Sequence, residues 1–467
     1  MSSTNKNDKL KALLADMDEA KPAKTRLTTL FDADSFVELD PFMKAGEDEA
    51  GIIAGWGTID GSVVYAYSQD ASAKGGAVSV AHAKKATQIY ELAAKNGCPV
   101  ICIYDSKGAK LDEGCNMLAA YSEMLQWSNN LSGVVPQIAV VLGTCAGVSA
   151  MLAAGADFVV MNKEAELFLN APFITKANGD SAEGAGTAGN AAKSGIASLV
   201  CEDEATALAE VRKLISMLPQ NNLASLPLFD FADNTDAIDP DGCQKQIVKA
   251  IADAGSTLEL NAEFGKGASI FLGTMAGVTA AFVATSKEHP LDADACAKIA
   301  RFVKFCDAFN VPVLTFIHSK GFELSADVRL IKESAKLASA YAEATTAKIS
   351  VITGRACGSA FVALASKNAG ADLTIAWPQA EISALAPETA VEFLWSDRFK
   401  GTSDVNATRA ALVEEYIETE ASPFEAAKSG NIGSIIAPEE TRNTLIKLLD
   451  MLAGKRDSKL PKKHTTV

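Results

Sequence analysis

Short apolar runs alternate with longer stretches of helical spacing along most of this chain. Leu10, Leu13 and Leu14 recur at the spacing of one helix face, so residues 1–45 read as a helical N-terminal arm. Residues 51–59 and 62–68 then read as two strands. Between them stands Asp60-Gly61, a pair that favours a tight hairpin turn. Residues 80–95 predict a helix with a weak start signal, because Ala83, Ala86, Ile89 and Ala93 share one face. A short apolar run at 99–104 predicts the next strand, and the alternation continues, which implies an α/β fold of βαβ-type units.

The pattern also repeats. The run Pro-Val-Ile-Cys-Ile-Tyr-Asp-Ser-Lys-Gly-Ala-Lys-Leu starts at Pro99, and Pro-Val-Leu-Thr-Phe-Ile-His-Ser-Lys-Gly-Phe-Glu-Leu starts at Pro312, so Ser106 and Gly108 match Ser319 and Gly321 at an offset of 213. Gly143–Gly147 parallels Gly354–Gly358 at an offset of 211. Gly155-Ala-Asp157 matches Gly370-Ala-Asp372, and Ala165-Glu-Leu167 matches Ala380-Glu-Ile382, both offset by 215. Matches in one order at a nearly constant offset point to internal duplication. Residues 219–242, with Pro219, Asn221, Asn222, Pro227 and Pro240, have linker composition. The expected halves are therefore 1–235 and 236–467.

Each half carries a small-residue turn between an apolar strand and an apolar helix. In the first half these are residues 138–142, 143–147 and 148–154; in the second they are 349–352, 354–358 and 359–365. Small residues there either expose N–H donors to a negatively charged oxygen or simply allow close strand–helix packing. Their matched occurrence in both copies favours the first. Side-chain acid–base chemistry has little support. The four histidines, His82, His289, His318 and His464, stand in unrelated contexts, and Asp105 occupies the place of His318 in the other copy. Ser149 lacks the surrounding GxSxG of a hydrolase nucleophile.

Composition narrows the classes further. A hydrophobic content of 48% in 467 residues allows large cores, and a net charge of −15 argues against a nucleic-acid partner. A phosphorylated ligand stays compatible, since a few lysines and backbone N–H groups hold phosphates locally. The nine cysteines form no CxxC pair and read as buried reduced thiols, with no metal expected. No long apolar run predicts a membrane span and the first residues lack a signal-peptide core, so cytoplasmic location is expected.

These residues resemble the carboxyltransferase subunits of biotin-dependent acyl-CoA carboxylases, such as propionyl-CoA carboxylase beta chains, and of sodium-pumping decarboxylases, such as methylmalonyl-CoA decarboxylase alpha subunits. The resemblance runs from about Leu30 to the C-terminus. It includes Phe31-Asp-Ala-Asp-Ser-Phe-Val-Glu-Leu-Asp40, Tyr67-Ser-Gln-Asp70 with Gly75-Gly76 and His82, and Lys193-Ser-Gly195. It continues through Leu218-Pro-Gln-Asn-Asn222, Arg301 to Pro312, Tyr341-Ala-Glu-Ala-Thr345 and Ala376 to Ile382, and closes with Glu414-Glu-Tyr416, Pro423 and Pro461-Lys-Lys-His464.

The resemblance implies two tandem crotonase-like domains, the first on the acyl-CoA side and the second on the biotin side, meeting across subunits of a homo-oligomer, with a hexamer as the family expectation. It implies oxyanion donors at Gly147 and Val148 for the acyl-CoA enolate, and at Ser359 and Ala360 for the biotin ureido oxygen. Ligand contacts are implied at Gly75, Gly76, Gly108, Ala109, Phe361 and Val362. Biotin would arrive on a separate carrier protein or domain, and the coenzyme A thioester is the substrate. The partner would be a biotin carboxylase or, in a decarboxylase running the reverse half-reaction, a membrane subunit. The family reads Gly-Gly at Gly147-Val148 and Gly-Gly-Ala at Gly358-Ser359-Ala360, and it commonly has Gly and Pro where this chain has Lys107 and Lys320. Backbone donors survive these changes, but a glycine-only conformation would not, so a non-catalytic CoA-binding assembly subunit is a third reading. The two lysines either bind phosphate or carboxylate or are solvated charges.

Overall fold

Asp60 and Gly61 take φ of +49° and +78°, the left-handed pair that a two-residue hairpin requires. They join strands Ile52–Ile59 and Ser62–Gln69 in full antiparallel register, Ile52 opposite Gln69 and Ile59 opposite Ser62. The computed structural model describes residues 3–17, 21–179, 181 and 183–467, and the chain divides into two units, Met1–Ser225 and Leu226–Val467.

The strands of the first unit are β1 (Val37–Glu38), β2 (Lys44–Ala45), β3 (Asp48–Glu49), β4 (Ile52–Ile59), β5 (Ser62–Gln69), β6 (Val100–Ser106), β7 (Gln137–Ala146), β8 (Phe158–Asn162), β9 (Glu166–Phe168) and β10 (Leu199–Cys201). Its main sheet runs β1-β4-β5-β6-β7-β8-β10, with β9 paired to the end of β7. Strands β6 and β8 are almost wholly buried, which is why they read as continuous apolar runs: a parallel sheet is covered on both faces. The second unit contains β11 (Leu258–Leu260), β12 (Ala268–Met275), β13 (Val278–Thr285), β14 (Val313–Ile317), β15 (Lys348–Ile352), β16 (Arg355–Cys357), β17 (Leu373–Ala376), β18 (Glu381–Ser383) and β19 (Ser434–Ile435). Its sheet runs β11-β12-β13-β14-β15-β17-β19, the same path strand for strand, with β16 and β18 as a separate parallel pair.

The duplication extends to residue pairs. Thr144 lies opposite Glu166, and Arg355 lies opposite Glu381, so the two sequence offsets of 211 and 215 meet in one register. Each unit also closes its hairpin with an aspartate and a distant arginine. Asp32 accepts hydrogen bonds from Thr58 Oγ1 (2.8 Å), the N–H groups of Asp60 (3.1 Å) and Gly61 (3.0 Å), and Arg212 (2.8 Å). Asp253 accepts from Thr274 Oγ1 (2.6 Å), the N–H groups of Ala276 (3.0 Å) and Gly277 (2.9 Å), and Arg442 (2.7 Å). The second guanidinium nitrogen of each arginine donates to a helix-end carbonyl, Leu30 O or Ile251 O, at 2.6 Å.

Three expectations change. The helical arm ends at Leu30: helices Ser3–Met17 and Pro22–Leu30 form, but Val37–Glu38 then joins β4 as a strand because Asp32 is committed to the hairpin turn. Residues 1, 2 and 18–20 of that arm lie outside the described residues. The boundary falls at Ser225/Leu226, earlier than 235/236, since Phe229 N–H donates to Gly277 O (2.8 Å) and Asn234 to Lys249 O (2.6 Å), which ties the Pro- and Asn-rich segment to the second unit. The helix expected at 80–95 spans Val80–Asn96 and starts on a true cap, Ser79, whose hydroxyl accepts from His82 N–H.

Candidate active site

The sequence-derived site residues of the first unit gather where three parallel strands end. Gly75 and Gly76 form a turn after β5, with φ of +69° and +68°. Gly108 and Ala109 follow β6, and Gly147 and Val148 follow β7. Ser106 of β6 lies opposite Cys145 of β7, so the segments carrying Gly108 and Gly147 leave the sheet at the ends of neighbouring strands. Lys107 N–H donates to Gly75 O (3.0 Å) and Val78 N–H to Gly108 O (2.9 Å), fastening the first two segments together, and Gly147 N–H donates to Phe168 O (2.9 Å). The Ser106 hydroxyl accepts from Gly108 N–H at 3.1 Å and shapes the loop.

Gly147 has φ of +64° and stands as the N-cap of helix Val148–Gly155, with no side-chain cap. The first N–H groups of that helix therefore keep the free donors an α-helix leaves at its start, at the positive end of its dipole. A Cβ added at Gly147 or Gly108 would meet nothing within 4 Å, so both face open space large enough for a ligand atom. The left-handed residue is Gly147 itself; Val148 is not among the positive-φ residues, so its side chain costs the turn nothing.

The second unit repeats this arrangement. Gly321 N–H donates to Ser319 Oγ at 3.1 Å and Leu291 N–H to Gly321 O at 2.9 Å. Gly358, φ +58°, begins helix Gly358–Leu364, again without a side-chain cap. Ser359 is exposed, Ala360 buried, Phe361 half-buried and Val362 exposed. Neither Ser359 nor Ala360 has a positive φ, so here too the substitution relative to Gly-Gly is conformationally neutral.

Some groups near the turns were not visible as partners in the sequence. Arg26, only 7% exposed, donates to Asp105 (2.9 Å) and to Glu204 (2.6 Å), joining residues far apart in the chain. Asp105 lies against Gly143, where a Cβ would come within 2.0 Å of its carboxylate, and His318 lies in the same way against Gly354, at 2.5 Å. The Asp105 and His318 places are thus equivalent packing positions. Burial, then Lys287, lowers the His318 pKa, and burial followed by Lys85 holds His82 at about 3; both rings are neutral at pH 7. The free cysteines are mostly buried as expected, but Cys115 and Cys243 are exposed. No group of His, Cys, Asp and Glu among the described residues could hold a metal ion, and no described helix is long and apolar enough to cross a membrane.

The pattern of the carboxyl transferase domain matches residues 20–467. The chain belongs to the carboxyl transferase domain family. Methylmalonyl-CoA decarboxylase subunit alpha of Veillonella parvula is 35% identical over 478 residues, covering 95% of this chain and 92% of that protein. The propionyl-CoA carboxylase beta chain of Saccharopolyspora erythraea is 35% identical over 492 residues, covering 96% and 90%. Transcarboxylase 12S, solved as a hexamer assembly with methylmalonyl-coenzyme A and methylmalonic acid bound, superimposes with a TM-score of 0.89 at 31% identity, over 97% of this chain and 93% of that one. This carboxyl transferase is an acyl-CoA carboxyltransferase whose two units share the crotonase fold.

Proposed function

We propose that the chain moves a carboxyl group between carboxybiotin on a separate carrier and the α-carbon of a short acyl-CoA, with propionyl-CoA and methylmalonyl-CoA the favoured pair and acetyl-CoA and malonyl-CoA the second. The names of its relatives support that order. The observation that carries the reading is the duplicated turn. Two uncapped helix starts, each led by a left-handed glycine at the same register, suit a reaction with two oxygens to stabilise and no side-chain base.

In this reading the first unit takes the thioester. The Val148 N–H at the helix start holds its oxygen as negative charge develops, the Gly147 N–H beside it donating to Phe168 O (2.9 Å), and Gly75, Gly76, Gly108 and Ala109 line the approach. The second unit takes biotin, with Ser359 and Ala360 donating to the ureido oxygen and Phe361 and Val362 bordering the acyl group. Biotin supplies the carboxyl group and a ureido nitrogen able to accept the α-proton. The chain supplies position and preorganised dipoles, each donor of this kind being worth roughly 3–4 kcal/mol in the transition state. The direction of transfer follows the partner, a biotin carboxylase or a membrane decarboxylase subunit, and cytoplasmic location fits both. Isotope exchange between labelled methylmalonyl-CoA or malonyl-CoA and a biotinylated carrier tests the proposal directly; absence of exchange with every short malonyl-type thioester would remove it.

A homo-oligomer, a hexamer by family expectation, is proposed as the working form. Leu111 (87% exposed) and Leu118 (70%) have counterparts 213 residues on in Leu324 (103%) and Ile331 (74%), so each unit presents the same apolar surface, the kind that partners cover. Light scattering at micromolar concentration should give six chains; a monomer would count against a shared site.

Val362 provides a test of substrate choice. It is 56% exposed on the helix that follows Gly358, so enlarging it disturbs little packing. Val362→Phe should lower kcat/KM for propionyl or methylmalonyl groups by about tenfold relative to acetyl or malonyl groups, in line with the ~1–3 kcal/mol that one methylene is worth in an apolar pocket. Equal losses on both substrates would place Val362 outside the acyl pocket.

A further inference from the structure

Lys107 and Lys320 occupy one position in the two units. Each follows the serine whose hydroxyl accepts from the next glycine's N–H, Ser106 to Gly108 and Ser319 to Gly321, both at 3.1 Å. Each precedes a residue bridged to the loop before the first long helix, Ala109 to Val78 and Phe322 to Leu291. Both lysines are exposed, and among the described residues neither has an ion pair or side-chain hydrogen bond. Their neighbours differ: Lys74 pairs with Asp48 at 2.6 Å, and Lys110 lies 3.5 Å from both Asp112 and Glu113. The stem of Lys107 does not float in solvent. Its Cδ lies 3.3 Å, and its Cε 3.9 Å, from where a Gly75 Cβ would stand, so the stem is laid along the glycine turn.

We propose that Lys107 recognises the free carboxylate of a malonyl-type CoA thioester, an assignment that rests on the acyl-CoA reading of the first unit and adds a specificity residue to it. Ser106, the residue before Lys107, pairs with Cys145, two residues before Gly147, at the roughly 5 Å that separates neighbouring strands. In such a thioester the carboxylate carbon is two bonds from the thioester carbonyl carbon, so donors on the carbonyl oxygen bring the carboxylate within this neighbourhood. The coenzyme diphosphate lies at the far end of the pantetheine arm. A chain of net charge −15 repels an anionic thioester at long range, and an unpaired local cation offsets this where the ligand binds. Lys320 fills the matching place in the second unit, where the same carboxylate stands on its other carrier.

The test compares dissociation constants of methylmalonyl-CoA and propionyl-CoA, measured by calorimetry on the full-length protein and on Lys107→Met and Lys107→Arg. Lys107→Met should weaken methylmalonyl-CoA by about ten- to a hundredfold, the range of a hydrogen bond to a charged group, and change propionyl-CoA less than twofold. Lys107→Arg should recover most of the loss. Unchanged affinity for both ligands would make Lys107 a solvated charge. An equal loss on both would overturn the assignment by moving the contact to the coenzyme, and a smaller loss with 3′-dephospho-CoA would then identify the phosphate. If the unaltered protein binds neither thioester, the acyl-CoA reading itself falls, an outcome visible before any variant is made.

Discussion

Gly147→Val should leave a folded protein whose carboxyl transfer is about a hundred- to a thousandfold slower. The backbone there has φ of +64°, a region closed to β-branched residues. An added Cβ meets no neighbour within 4 Å, so the conflict arises first in the backbone of the turn. Relieving it rotates the Gly147–Val148 peptide and withdraws a donor from the developing oxyanion, a loss of roughly 3–4 kcal/mol. The fall should appear in kcat more than in KM, because the donor acts mainly as charge develops. Unchanged circular dichroism with unchanged kcat would show that the donors lie elsewhere.

Asp253→Ala should cost about 3–5 kcal/mol of stability, read as a lower urea midpoint. Its carboxylate is 2% exposed and receives the four hydrogen bonds of the second hairpin clamp. Removing it leaves the Arg442 charge, itself largely buried, without its principal partner. The equivalent Asp32→Ala should cost less, because Asp32 and Arg212 are each more than a quarter exposed and water replaces what is lost. Burial works to raise the Asp253 pKa, but the bonds from Thr274, Gly277 and Arg442 outweigh it and hold it below the usual carboxylate range. The clamp's contribution is therefore full above about pH 4 and is lost as pH falls towards the folded-state value. A midpoint within error of the unaltered protein at pH 7 would show that the clamp is not stabilising.

Sequence spacing revealed the repeat where backbone geometry demands particular residues. Gly147 and Gly358 adopt left-handed conformations, and Gly143 and Gly354 lie against a neighbouring side chain; these needs preserve residue identity and spacing together. The hairpin clamps are equally well duplicated in space but leave no constant offset in sequence. Their matching residues lie 221 apart for the aspartates, 216 for the threonines and 230 for the arginines, because the connecting loops have different lengths. Ser79 carries a weak cap signal in sequence since no acidic residue follows in the first turn, and the N-terminal arm reads as longer than it is because Asp32 looks like any turn residue until its partner, Arg212, is folded against it. Side-chain partners remote in sequence, such as Arg26 with Asp105 and Glu204, leave no local pattern to read.

The arginine of each clamp also sets a timetable for synthesis. The first unit cannot close its hairpin clamp until Arg212 has been made, and Arg442 of the second clamp follows 230 residues later. At the usual ribosomal pace of roughly 5–20 residues per second, the first clamp has a lead of about 12–46 s over the second. Until Arg442 is made, the aspartate of the second clamp lacks its partner. Nascent chains should accordingly pass through a stage with one finished unit and one open one, and the later unit, with its unpaired buried carboxylate, is where chaperones would be needed.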